Sequence, residues 1–124
     1  VIGEDKFEIA GFCIQPIRIL HGDLPILGYI IDDKIAYLTD VKVIPEESLE
    51  KLNGIEVLII SALRTEHEHF SHILLDEAIR YSDIIGAKKT YFTHISHYLG
   101  FHDEIEKTLP KDKHLAFDML EIIL

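Results

Sequence analysis

The sequence predicts an α/β fold of the α+β layer type, a mixed sheet with helices on one face. Strands come first and a β-α-β-α-β run follows. Three features lead there. The first forty residues alternate or cluster β-branched and aromatic positions without a helical period. Later come two amphipathic stretches, each stopped by a glycine, on either side of the apolar run Val57–Ile60. Finally, 124 residues at 48% hydrophobic and 27% charged suffice for one domain, residues 1–124, and are too few for two. That composition excludes disordered, collagenous and repeat proteins.

Taken in order, Phe7–Phe12 and Ile14–Leu20 read as two short strands or one bent strand, broken near Pro16. Ile26–Ile31 and Ile35–Thr39 flank the polar turn Asp32-Asp33-Lys34, the pattern of a β-hairpin. Beyond Pro45, acids in a first turn and Asn53-Gly54 behind Leu52 mark a short helix. Glu56–Ser61 reads as a strand buried on both faces. Leu74, Leu75, Ala78, Ile79, Ile84 and Ile85 form a helical stripe over 73–85 that stops at Gly86. Lys88–Thr93 is a strand again and Asp103–Leu109 a short helix ended by Pro110. His114–Phe117 with Leu120–Leu124 reads as a final hairpin. A sheet with helices on one side needs a second layer over its other face, and no early helix supplies it.

Twelve basic against 22 acidic residues give a formal charge of −10, which repels a phosphate backbone and disfavours nucleic acid as a partner. The longest apolar runs are strand-sized, well short of the ~20 residues of a membrane span, so a soluble chain is expected. The single cysteine, Cys13, allows no internal disulfide and leans to the cytoplasm. Its apolar strand context suits a small buried hydrophobe better than a nucleophile. The opening Val1-Ile-Gly-Glu-Asp-Lys shows no leader peptide and no initiator methionine, so residues upstream are expected in the intact protein.

The eight histidines are placed informatively. His67, His69 and His72 follow the strand 56–61, and His94 and His97 follow the strand 88–93. His21 and Asp40 end two earlier strands. Neighbouring strand ends deliver side chains to one edge of an open α/β sheet, where ligands bind. Imidazole and carboxylate suit zinc, manganese or iron. Each residue also has a plain reading. His102 and His114 read as surface or capping residues, the group 67–72 as a solvated loop, and Asp40 as a turn residue. The joint pattern favours metal.

Residues His21-Gly-Asp-Leu-Pro-Ile-Leu-Gly-Tyr, Ala36-Tyr-Leu-Thr-Asp-Val-Lys, His69-Phe-Ser-His72, Tyr91-Phe-Thr-His-Ile-Ser-His97 and Leu115-Ala-Phe-Asp118 together resemble the C-terminal half of a metallo-β-lactamase-fold hydrolase. The nearest branch is that of the phosphoribosyl 1,2-cyclic phosphodiesterases, with tRNase Z more distant. The resemblance covers essentially the whole chain. It implies half of an αββα sandwich with metal ligands at one edge. His21 and His94 would be histidine ligands, and Asp40 the carboxylate bridging two divalent ions, zinc or manganese. His72 would contact the phosphate and protonate the leaving oxygen. His69, His97 and Asp118 would orient these groups or meet substrate.

The family's first signature, His-X-His-X-Asp-His, is absent, and His67-Glu-His69-Phe-Ser-His72 has neither its spacing nor its position. The expectation is therefore a C-terminal segment whose dimetal site is completed by an N-terminal half or a partner chain, a homo-oligomer included. The implied activity is hydrolysis of a small, cyclic phosphodiester, the segment alone being inactive. The alternative is a non-catalytic metal- or partner-binding module completing another chain. Within the enzyme class, the charge disfavours a tRNA nuclease, and the two His-Ser-His-type segments fit a β-lactam or thioester hydrolase less well.

Overall fold

The computed structural model describes residues 5–62, 75–93, 107 and 109–116. Its strands are β1 Phe7–Ile9, β2 Phe12–His21, β3 Leu24–Ile31, β4 Ile35–Leu38, β5 Val57–Ser61, β6 Lys89–Thr93 and β7 Lys113–Leu115. Helix α1, Glu46–Leu52, lies between β4 and β5, and α2, Leu75–Ile85, between β5 and β6. The strands form one sheet in the order β1 to β7. Pairing is antiparallel from β1 to β4 and parallel from β4 to β7. The two described crossovers each step one strand in the same direction, so right-handed connections place both helices on the same face. A buried hydrogen bond of 2.6 Å between Ser82 and Thr90 ties α2 to β6, and the Ser48 hydroxyl donates to the Arg18 carbonyl, tying α1 to β2.

The core lies between helices and sheet. Ile17, Ile19, Ala36, Leu38, Leu58, Ile60, Phe92 and Leu115 meet Leu52, Leu75, Ala78 and Ile85 there. Gly28 permits the tight packing of its neighbours: a Cβ on it would lie 2.5 Å from Leu38 Cδ2 and 3.3 Å from the Tyr37 carbonyl. Helix α2 stops where its stripe predicted, at Gly86 (φ 74°), whose N–H donates to the Ser82 carbonyl.

The hairpin around 32–34, helix α1 and the doubly buried β5 match the sequence reading. Two expectations are corrected. The first hairpin turns at Ala10-Gly11, both at positive φ, and Pro16 lies inside β2 opposite Tyr29. Proline is tolerated there because, among the described residues, β1 pairs only as far as Ile14 and the next outer partner of β2 is Val43 at Leu20, so no described ladder bond is lost. The described part of the last element, β7, is a parallel partner of β6. The rest of the expected final hairpin, and most of the helix expected over 103–109, lie outside the described residues.

On the face opposite the helices, strand alternation lines up Tyr29, Tyr37, Ile59, Tyr91 and His114 in one row across β3 to β7. Tyr37 is 44% exposed. His114, expected at the surface or at a cap, is half-buried with its ring 5.5 Å from that of Tyr91. No described element covers this row. No helix among the described residues is long and apolar enough to cross a membrane.

Candidate functional site

Strand direction gathers the site. Two antiparallel steps make β2 run with β4, and β5, β6 and β7 run with β4 as well. Their C-terminal ends therefore share one edge: His21 closes β2, Asp40 follows β4 by two residues, and Ser61, Thr93 and Leu115 close β5, β6 and β7. This is the edge at which open α/β sheets bind ligands.

His21 and Asp40 are brought together there by the path of the chain after β4. From Leu38 the backbone crosses to the end of β2, where the Lys42 N–H donates to the Leu20 carbonyl and the Leu20 N–H to the Val43 carbonyl. Val41 and Ile44 are buried on the way. The Lys42 ammonium pairs with Glu77 of α2 at 3.2 Å, and the Ile44 N–H donates to the Tyr81 hydroxyl. The turn needs a left-handed residue, and Asp40 takes φ 59°, a conformation Asp tolerates better than most residues. Its carbonyl then lies 2.7 Å from His21 Nδ1.

That contact fixes chemistry. A carbonyl oxygen only accepts, so Nδ1 carries the proton and the lone pair of the neutral ring sits on Nε2. Histidine ligands in metal sites are held in the same way, the other ring nitrogen donating to a carbonyl or carboxylate. Asp40 is exposed and His21 half-buried, so both stand within reach of an ion in solution. The donor set, neutral imidazole plus carboxylate, suits a divalent zinc or manganese ion. The described residues contribute these two donors and contain no group of three or more His, Cys, Asp or Glu able to hold a metal. His69, His72, His94, His97 and Asp118, expected as further ligand, catalytic and orienting residues, lie outside the described residues. The structure describes Thr93, the sequence neighbour of His94, at the shared edge.

Ser61 was not singled out from the sequence. It is 1% exposed, and its hydroxyl is the one buried side-chain polar atom among the described residues with no hydrogen-bond partner. A polar residue ending a doubly buried strand was the available signal.

Known proteins share this fold. A family model described as the beta-lactamase superfamily domain matches residues 2–95. A crystal structure of a new diphosphatase from the PhnP family superposes with a TM-score of 0.90 at 39% identity, over 96% of this chain and 46% of that one. Human tRNase Z, short form, superposes with a TM-score of 0.71 at 18% identity, over 94% of this chain and 46% of that one, a likeness of fold. An octanoyltransferase of Porphyromonas gingivalis strain W83 is 40% identical over 118 residues, 95% of this chain and 24% of that protein. The chain thus spans less than half of each of these relatives. A mixed sheet with helices on one face and His and Asp at one edge is the metallo-β-lactamase arrangement, and the chain belongs to the beta-lactamase superfamily domain family of metallo-β-lactamase-fold hydrolases.

Proposed function

We propose that this chain is the C-terminal portion of a binuclear metal-dependent hydrolase that cleaves a small phosphodiester, a cyclic one included. The observation that carries the reading is the bond from His21 Nδ1 to the Asp40 carbonyl, which leaves the imidazole lone pair on Nε2 at the edge where Asp40 also stands. The 39% identity to a PhnP-family diphosphatase supports phosphoryl chemistry and widens the candidate substrates to diphosphate bonds.

In this reading His21, Asp40 and His94 hold two divalent ions, zinc or manganese, with further ligands from residues outside the chain. The ions, when bound, lower the pKa of water and neutralise the phosphoryl oxygens. His72 donates its proton to the departing alkoxide as the P–O bond breaks, which removes the need to expel a strong base. His69, His97 and Asp118 orient these groups. The aromatic row, which no described element covers, receives the N-terminal half or, failing that, a partner chain. The chain's strong negative charge argues against nucleic acid as substrate, and its single cysteine accords with a cytoplasmic protein.

The octanoyltransferase likeness covers 24% of that protein, and acyl transfer finds no support at this edge. Cys13, the one thiol in the sequence, lies at the opposite end of the sheet, its N–H bonded to Asp32 Oδ1. A non-catalytic module completing another chain is the competing outcome.

The test uses the full-length protein, with bis(p-nitrophenyl) phosphate and a five-membered cyclic phosphodiester as substrates. Asp40→Ala is expected to lose both metal and activity. His72→Ala is expected to keep its metal and lose about 100-fold or more in kcat. Wild-type turnover in both variants overturns the assignment, and a loaded wild-type protein inert toward both substrates favours the module.

A further inference from the structure

Among the described residues, buried polar side chains are otherwise paired. Among the described residues Ser48, Ser61, Ser82 and Thr90 are buried. Ser48 bonds to the Arg18 carbonyl, and Ser82 and Thr90 bond to each other. Ser61 alone leaves its hydroxyl unmatched, although a buried, unpaired hydroxyl is costly and normally eliminated.

Its neighbours suggest what the hydroxyl is for. Ser61 pairs in register with Thr93 of β6. On its other side Leu38 pairs with Ile60, so the next residue, Thr39, comes level with Ser61. Thr39, Ser61 and Thr93 thus stand in one row on the same pleat, on adjacent parallel strands spaced about 4.8 Å apart. Each threonine is half-buried and immediately precedes a residue assigned above as a metal ligand: Thr39 precedes Asp40, and Thr93 precedes His94. Side chains level with one another on adjacent strands are close enough for hydroxyls to approach hydrogen-bonding distance through side-chain rotation.

We propose that Ser61 is a positioning residue whose hydroxyl ties Thr39 to Thr93 when the ligands that follow them engage metal, so that the ends of β4 and β6 are held at the spacing the ion requires. The role rests on the metal-site reading of Asp40 and His94. It acts through the two ligands and needs no contact with substrate. Removing the hydroxyl therefore has opposite consequences in two states. In protein stripped of metal it deletes an unpaired buried group and leaves stability unchanged or raised. In loaded protein it loosens the ligands, as loss of an outer hydrogen bond does in other metal sites.

The experiment measures zinc and manganese affinity by chelator competition, and the melting temperature of chelator-stripped protein. It compares the full-length wild type with Ser61→Ala, Thr93→Val and the double variant. Ser61→Ala is expected to weaken metal binding about tenfold with the stripped protein melting at or above wild type. Thr93→Val should reproduce the weakening, and the double variant should add little to it, since both break the same row. Wild-type affinity in Ser61→Ala, or a stripped protein that is destabilised or fails to fold, overturns the role and leaves Ser61 a packing residue. A wild-type protein that binds neither metal overturns the metal reading itself, a distinct result.

Discussion

The two ends of the sheet are built to different rules. At the end where β2, β4, β5, β6 and β7 begin, every positive φ belongs to a turn. Ala10 and Gly11 close the first hairpin, Asp32 and Asp33 the next, Gly54 and Gly86 follow the helices, and Asp112 leads into β7. Polar groups there are spent on the turns themselves: Asp32 Oδ1 takes the Cys13 N–H, the Asp32 N–H donates to the Cys13 carbonyl, and the Gly54 N–H donates to the Ile85 carbonyl. At the other end Gly22 (φ 63°) turns β2 into β3, but the positive φ of Asp40 turns its carbonyl onto a histidine, and Ser61 keeps a hydroxyl unpaired. One edge spends its polar groups on closing turns, and the other holds an imidazole oriented by a backbone carbonyl and a buried hydroxyl left unpaired.

The sharpest break between the edges comes at Asp40. Asp40→Asn keeps a side chain tolerant of the left-handed turn and keeps the carbonyl that orients His21, while removing the carboxylate charge that the proposed metal site would use. Metal affinity of the full-length protein should fall about 100-fold, equivalent to about 2.7 kcal/mol. Stripped-protein stability should stay within about 0.5 kcal/mol of wild type. Chelator competition and urea unfolding measure the two quantities separately. A matching loss of stability would mean that the Asp40 carboxylate serves the turn and not the ion.

Between the edges lies the core, where cost is set by packing alone. Gly28→Ala forces a methyl against Leu38, itself fully buried, and against the Tyr37 carbonyl. Overpacking of this kind should cost about 2–3 kcal/mol in urea unfolding, because the neighbour that must yield has no open space to enter. A loss under half of that would show that β4 shifts readily over β3.

How much of this was legible depends on the range of the interaction. The hairpin around Asp32-Asp33, helix α1 and the stop of α2 at Gly86 follow from residues near one another in sequence, and strand alternation or helical spacing exposes them. Pro16 misled because its tolerance depends on where β1 ends and where Val43 pairs, and that last bridge joins Leu20 to a residue far along the chain. His21 and Asp40 were legible as candidates because strand ends converge in any such sheet. Their bond was not, since it arises from a backbone conformation at Asp40 and a crossing segment anchored at Leu20. Ser61 was the least legible of all, because the lack of a partner is a property of packing and leaves no mark on local sequence.

The smallest predicted effect sits at the stability edge. Asp32 caps the start of β2 through its side chain and takes φ 52° in the turn, two local services with no line to His21 or Asp40. Asp32→Ala removes the acceptor for the Cys13 N–H and places a residue less tolerant of the left-handed region there, costing about 1–2 kcal/mol in urea unfolding. Asp32→Asn keeps both an acceptor oxygen and the tolerance, so it should restore most of the loss. Metal affinity in both variants should equal wild type, because the turn lies the length of β2 away from His21 and Asp40. If Asp32→Ala weakened metal binding as much as it weakened stability, the two edges would be coupled, and the division of labour between them would have to be abandoned.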